Sequence, residues 1–320
     1  MLQYMIILLD DTSTSFCHYE VNKKDKRLIS LDDLRSGIRL AMIENLTIQF
    51  VYPDYDLPQE YKELIHTIDH SDIKPIATAG DGDDGADVIA LNGWNGYDAD
   101  SLKGQVVVVR TTFDDLIKNT DLVKKLLAVV QRLNVAIIDV DKITDAQQEQ
   151  YRLWLQDVGS EVEKLYVNGI SLQFNLLTDR MMLSAMNNCG AGDTCITLAP
   201  NGRFYICPAF YYEKDEDYVG DLASGIDIKN KQLYKLNYAP ICRKCDAWQC
   251  RRCVWLNRKT TLEVNTPSHE QCVAAHLERN ASRELMLNIR KHGLFLPEKE
   301  EIKEIDYIDP FEIANQWKRN

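Results

Sequence analysis

Eight of the nine cysteines fall between residues 189 and 272, in the order Cys189-x5-Cys195-x11-Cys207, Cys242-x2-Cys245-x4-Cys250-x2-Cys253, then Cys272. Thiolate sulfur suits soft metals and iron–sulfur clusters. Four thiolates hold one 4Fe–4S cluster, so eight can hold two with every iron ligated. Two zinc ions are the alternative. A zinc ribbon, however, separates its Cys-x2-Cys knuckles by about 15–20 residues, and only four residues lie between Cys245 and Cys250. Disulfide frameworks belong to small secreted chains. The apolar run Met5–Leu9 is too short for a signal sequence or a membrane span, and Asp10 and Asp11 follow it. Reduced thiols in a cytoplasmic protein are therefore expected.

Local charge agrees with an anionic centre. Residues 242–259 carry Arg243, Lys244, Arg251, Arg252, Arg258 and Lys259 against one acid, Asp246. A cluster with four thiolates is a net dianion, which nearby cations stabilise and tune; a solvated basic face is the plainer reading. The ninth cysteine, Cys17, reads either as a small buried hydrophobe or as a functional thiol. Gly80-Asp-Gly82-Asp-Asp-Gly85 matches a dinucleotide fingerprint, yet Asp81, Asp83 and Asp84 would repel a pyrophosphate. The calcium-loop pattern fails there too, since Gly85 stands where a ligand is needed. A solvated turn is expected.

The elements that must position these groups alternate. Strands are expected at Gln3–Leu9, Leu46–Val51, Ile73–Ala77, Gln105–Arg110, Val135–Val140 and Ser171–Leu176, with Asp87–Leu91 as a possible extra one. Helices are expected at Leu31–Glu44, Gln59–Ile68, Asp114–Leu133 and Asp145–Leu165. Ser30 is the candidate cap of the first, with Leu34, Ile38, Leu40 and Met42 as its apolar face. Leu122, Leu126, Leu127 and Val130 give the third its period. Strand alternating with helix signals a parallel sheet, either a partial barrel or an open doubly wound sheet. After Met186, cysteines and short aromatic clusters replace long periodic segments, as where metal substitutes for a large core. A helix over Arg283–Lys291 precedes an acidic tail, Pro297–Asp309, and a final segment, Pro310–Asn320.

At 320 residues, 45% hydrophobic and 27% charged, the chain reads as a globular protein of about two domains. Its net charge of −12 disfavours general binding to nucleic acid or to an anionic membrane.

The spacing from Cys189 to Cys272 resembles the SPASM domain of radical SAM peptide-modifying enzymes. Leu198-Ala-Pro-Asn-Gly-Arg-Phe-Tyr-Ile-Cys207-Pro208 is similar to that domain's hairpin, and an Asn201-Gly202 turn with positive φ at both residues fits on physical grounds. Val219-Gly220-Asp221-Leu222 resembles the glycine element that follows. The resemblance implies a first cluster on Cys189, Cys195, Cys207 and Cys253, and a second on Cys242, Cys245, Cys250 and Cys272. The two gaps after Cys245 are each one residue shorter than usual in the family.

Radical SAM enzymes also carry Cys-x3-Cys-x2-Cys after their first strand. Here Ser13, Cys17 and Glu20 occupy that spacing, and Phe16-Cys17-His18-Tyr19-Glu20 is similar to a degraded copy. Phe50–Tyr55 stands where a glycine-rich SAM-binding segment is expected. No SAM site is therefore expected, because one thiolate does not hold four irons.

The whole chain resembles the CXXX repeat peptide maturases. That implies a partial (β/α)6-like barrel over residues 1–185, a small SPASM-type iron–sulfur domain over 186–280, and a C-terminal helix and tail over 281–320. It also implies a cysteine-repeat precursor peptide and a true radical SAM enzyme as partners. The chain would bind the precursor or relay electrons. An active maturase using a partner's cluster, or an auxiliary one that sheds a ligand, is the second reading; a zinc-bound structural adaptor is the third.

Overall fold

The structure is a computed structural model that describes residues 1–80 and 85–303. The centre of the Gly80–Gly85 stretch, the acidic tail from residue 304 on and the final segment lie outside the described residues.

Nine strands form one mixed, mostly parallel sheet. They are β1 (Tyr4–Leu8), β2 (Thr47–Val51), β3 (His70–Pro75), β4 (Val88–Asn92), β5 (Val106–Thr111), β6 (Arg132–Ile137), β7 (Gln173–Phe174), β8 (Cys195–Leu198) and β9 (Phe204–Tyr205). Their order is β7-β6-β5-β4-β3-β2-β1-β8-β9. From β1 to β7 each strand adds beside its predecessor and the order never reverses. β8 then pairs parallel on the other side of β1. The possible extra strand at Asp87–Leu91 is real, as β4.

Between the strands lie α1 (Leu31–Ile43), α2 (Gln59–Ile65), α3 (Phe113–Lys118), α4 (Thr120–Val129), α5 (Asp145–Val167) and the short α6 (Asp179–Met182). Ser30 caps α1 by accepting the Asp33 N–H at 3.0 Å. Its inward face is Leu34, Gly37, Ile38 and Ala41, with the expected Leu40 partly buried against the same core; the expected Met42 is 66% exposed. The expected helix Asp114–Leu133 breaks into two at Asn119, whose φ and ψ of −104° and 26° are not helical. It ends early because Val130 is already extended and leads into β6. The strands expected at Ile73 and Val135 each start three residues sooner, at His70 and Arg132, pairing with β2 and β7 respectively.

The chain forms two compact units. Among the described residues, one comprises 1–92, 107–110 and 189–235; the other comprises 93–106, 111–188 and 236–303. In the first unit, Met5, Ile7 and Leu9 pack with Leu34, Ile38, Phe50, Ile196, Leu198 and Phe204, all buried. α1 comes so close to β8 that a Cβ on Gly37 would lie 2.4 Å from Leu198 Cδ2. In the second unit, α5 packs on α9 (His269–Arg290). That helix begins fourteen residues before the expected Arg283, because Ser268 caps it through the Gln271 N–H at 3.4 Å. Among the described residues no helix is long and apolar enough to cross a membrane.

The expected hairpin joins β8 to β9, antiparallel. Its turn differs in detail: Gly202 alone takes positive φ, +72°, and its N–H bonds to Ala199 O at 3.0 Å. Pro200 and Asn201 therefore occupy the centre of a turn that closes on Gly202, the three-residue hairpin geometry. The glycine element forms a second hairpin, β10 (Gly220–Asp221) with β11 (Gly225–Ile226). Gly220 has φ +128°, and a Cβ there would meet Gly225 O at 2.0 Å. Backbone cannot yield as a side-chain tip does. Gly220→Ala should therefore cost about 2–3 kcal/mol of stability, read as a lowered thermal unfolding midpoint, while Gly225→Ala, with open space around it, should cost less.

Candidate metal centre

The cysteines divide between the units. Cys17, Cys189, Cys195 and Cys207 are in the first; Cys242, Cys245, Cys250, Cys253 and Cys272 are in the second.

In the second unit, one partly enclosed cavity is lined by Cys242, Cys245, Cys250 and Cys272, together with Arg252 and His276. Those four cysteines are the set assigned above to the second cluster. Tight turns aim the first three: Cys245 N–H bonds to Cys242 O at 3.1 Å, and Cys250 N–H to Ala247 O at 3.0 Å. The fourth, Cys272, enters from the first turn of α9. The Ala247 N–H points at the Cys245 sulfur, 3.4 Å away, and His276 Nε2 lies 3.3 Å from the same sulfur. Among the described residues no three His, Cys, Asp or Glu side chains converge on the position of a single ion. A four-iron cluster makes a different demand, one thiolate at each of four separate irons.

Burial raises the Cys242 thiol to about 11 and pushes Cys250 and Cys245 upward as well. Without metal these groups hold their protons; metal binding releases them.

Buried cations surround the cavity, but not those the local sequence suggested. Arg243, Lys244, Arg251 and Lys259 are exposed, and of the six only Arg252 is buried, at 2% exposure. Two others come from distant segments. Arg279, 1% exposed, donates to Asp246 Oδ2 at 3.1 Å. Arg180 donates to Asp246 O at 2.6 Å and stacks on Trp248 at 3.9 Å. Sequence reasoning also missed His276, which the i, i+4 spacing from Cys272 would have found once α9 was known to start at His269.

Behind this wall sits Glu278, its carboxyl withdrawn from solvent. It accepts from Tyr151 Oη at 2.9 Å and Gln249 Nε2 at 3.3 Å. Burial raises it to about 7, and those two bonds only partly oppose the rise.

In the first unit, Cys195 opens β8 and burial raises its thiol to about 12, with the Cys189 charge adding to the rise. Cys207 precedes Pro208 at the start of α7 (Pro208–Glu213). The remaining member of that set, Cys253, caps α8 (Val254–Thr261) in the second unit, its sulfur accepting the Leu256 N–H at 3.4 Å.

The three positions of the degraded motif do not form a ligand set. Ser13 is buried, and its hydroxyl is engaged at both ends: it accepts the Asp10 N–H at 2.9 Å and donates to Val51 O at 2.8 Å. Glu20 is exposed. Cys17 is raised to about 11 by burial first, and the Cys189 charge raises it further. The loop is closed on itself. Arg110 donates to Cys17 O at 2.6 Å and also to Tyr19 O, Ser15 Oγ to Tyr19 O at 2.6 Å, and Tyr212 Oη to Ser13 O at 3.3 Å. The Tyr19 ring stacks on Tyr212, centroids 5.3 Å apart.

No family model matches the chain, and no curated protein does. Among solved structures, native anSMEcpe with bound AdoMet and Cp18Cys peptide matches with a TM-score of 0.60 at 11% identity, over 91% of this chain and 100% of that one. Native anSMEcpe with bound AdoMet matches with a TM-score of 0.61 at 11% identity, over 90% and 99%. The class this defines is one of architecture: the chain has the mixed α/β fold of those anSMEcpe structures.

Glu278 gives a pH test. A carboxyl protonated more easily in the folded chain stabilises it at low pH, and that stability is lost as pH rises from the ordinary 4.5 through about 7. Between about pH 6 and pH 8 the wild type should lose about 1 kcal/mol relative to Glu278→Gln, measured as the difference in their urea unfolding curves.

Proposed function

We propose that this chain is an iron–sulfur protein of ribosomal-peptide maturation that does not itself cleave SAM. It holds one 4Fe–4S cluster on Cys242, Cys245, Cys250 and Cys272, and another on Cys189, Cys195, Cys207 and Cys253. It works in the cytoplasm beside a true radical SAM enzyme, binding a cysteine-repeat precursor or relaying electrons. In this reading residues 1–185 are the barrel scaffold and 186–280 the SPASM-type domain.

The observation that carries this is the cavity lined by all four cysteines of the second set. The donors suit the group: four cysteines line one space, the Ala247 N–H reaches the Cys245 sulfur, and Arg252 lines the wall. A fully ligated cluster supplies electron transfer. The protein's part is to keep the thiolates oriented and out of water and to balance their charge with guanidinium groups.

The loop at Ser13, Cys17 and Glu20 supports the other half of the proposal. Its hydroxyl and carbonyl groups bond to one another and to Arg110, so the residues where a SAM-cleaving cluster would bind already satisfy themselves. The residues present do not fit a third cluster. A peptide-maturation role is supported by the fold shared with anSMEcpe, whose structures hold AdoMet and peptide.

Anaerobic purification followed by metal and sulfide analysis tests the first claim. About eight iron and eight sulfide per chain are expected, and about two zinc without sulfide would instead establish the structural adaptor. With SAM and a strong reductant, the chain alone should release no 5′-deoxyadenosine; release at turnover rates overturns the non-cleaving assignment.

A further inference from the structure

The cavity holds one donor more than a four-iron cluster uses. Cys272 and His276 are one turn apart on α9, so both project from the same face, and both line the cavity. His276 Nε2 is 3.3 Å from the Cys245 sulfur. An iron bound by Cys245 therefore has an imidazole nitrogen beside its own ligand. Imidazole is an accepted ligand of iron, and in one class of cluster two histidines replace two cysteines on a single iron.

We propose that His276 is a reserve ligand of the second cluster, able to take the place of Cys245. The inference rests on that site holding iron and sulfide, as argued above. In the exchange, the bond between iron and Cys245 sulfur breaks, and the departing thiolate takes a proton from solvent. The unprotonated Nε2 of the neutral imidazole, its proton on Nδ1, donates its lone pair to the same iron. No electron moves. The centre exchanges an anionic ligand for a neutral one, so its net charge becomes less negative and its reduction potential rises.

At Cys245 the substitute is already within hydrogen-bond distance of the sulfur. Helix α9, packed on α5, holds His276, while Cys245 sits in a turn between Cys242 and Ala247.

The test uses the full chain, purified anaerobically as wild type, Cys245→Ala, Cys242→Ala and Cys245→Ala/His276→Ala. Cys245→Ala should retain about eight iron per chain, and the other two variants should fall to about four. Pulsed electron paramagnetic resonance on reduced Cys245→Ala should detect one imidazole nitrogen bound directly to iron, absent from the double variant, together with a higher reduction potential than wild type. If Cys245→Ala loses iron as fully as Cys242→Ala, misfolding included, the proposal is overturned. Retention of eight iron without the bound nitrogen overturns it equally. Two zinc ions in the wild type would remove the iron–sulfur reading itself, a result separable from either.

Discussion

The burial of sulfur beside buried guanidinium groups is the constraint around which the second unit is organised. A thiolate withdrawn from water is costly unless a proton or a metal neutralises it. Cys242, Cys245 and Cys250 all respond to burial by holding their protons more tightly. Nothing in an apolar core requires four such groups around one space. The same cavity has Arg252 in its wall, and Arg180 and Arg279 grip the Asp246 that follows Cys245. Neutral thiols give these cations little to balance; metal-bound thiolates give them a great deal.

The N-terminal loop is organised by hydrogen bonds. Ser13 accepts the Asp10 N–H and donates to Val51 O, and Ser15 donates to Tyr19 O, while Glu20 stays exposed. Arg110 is central, because one guanidinium reaches Cys17 O, Tyr19 O and Asn92 Oδ1. Burial lowers its affinity for a proton, while the carbonyls it binds hold it in place. These bonds tie the loop to β5 and to itself.

How much of this was legible in the sequence follows from the range of each interaction. The four sulfurs of the second set were readable because their spacing is local, except Cys272, whose place came only from family resemblance. The alternation of β1, α1, β2 and α2 was readable because burial on one face imposes a period. The strand order was not, since a partial barrel and a doubly wound sheet share that period and differ only in how strands add. The basic residues were misjudged for the same reason. Arg243 and Lys244 are near the cysteines in sequence yet face solvent, whereas Arg180 and Arg279 arrive from α6 and α9. Sequence distance is a poor guide to charge at a site assembled by loops.

The register of α9 joins these strands of reasoning. Starting the helix at Ser268 and not near Ala281 places Cys272, His276 and Arg279 at successive turns of one rigid element. Each then meets the same short loop: Cys272 shares the cavity with Cys245, His276 reaches its sulfur, and Arg279 binds the next residue, Asp246. A loop of Cys and Arg has little apolar surface with which to fix its own conformation. Here the fixing is done by a helix that carries cysteine, hydrogen-bond partner and counter-charge at intervals of three to four residues. The helix is itself anchored on α5, where Tyr151 Oη meets Glu278. The geometry of this cysteine-rich loop is therefore set from outside it, by packing between two long helices.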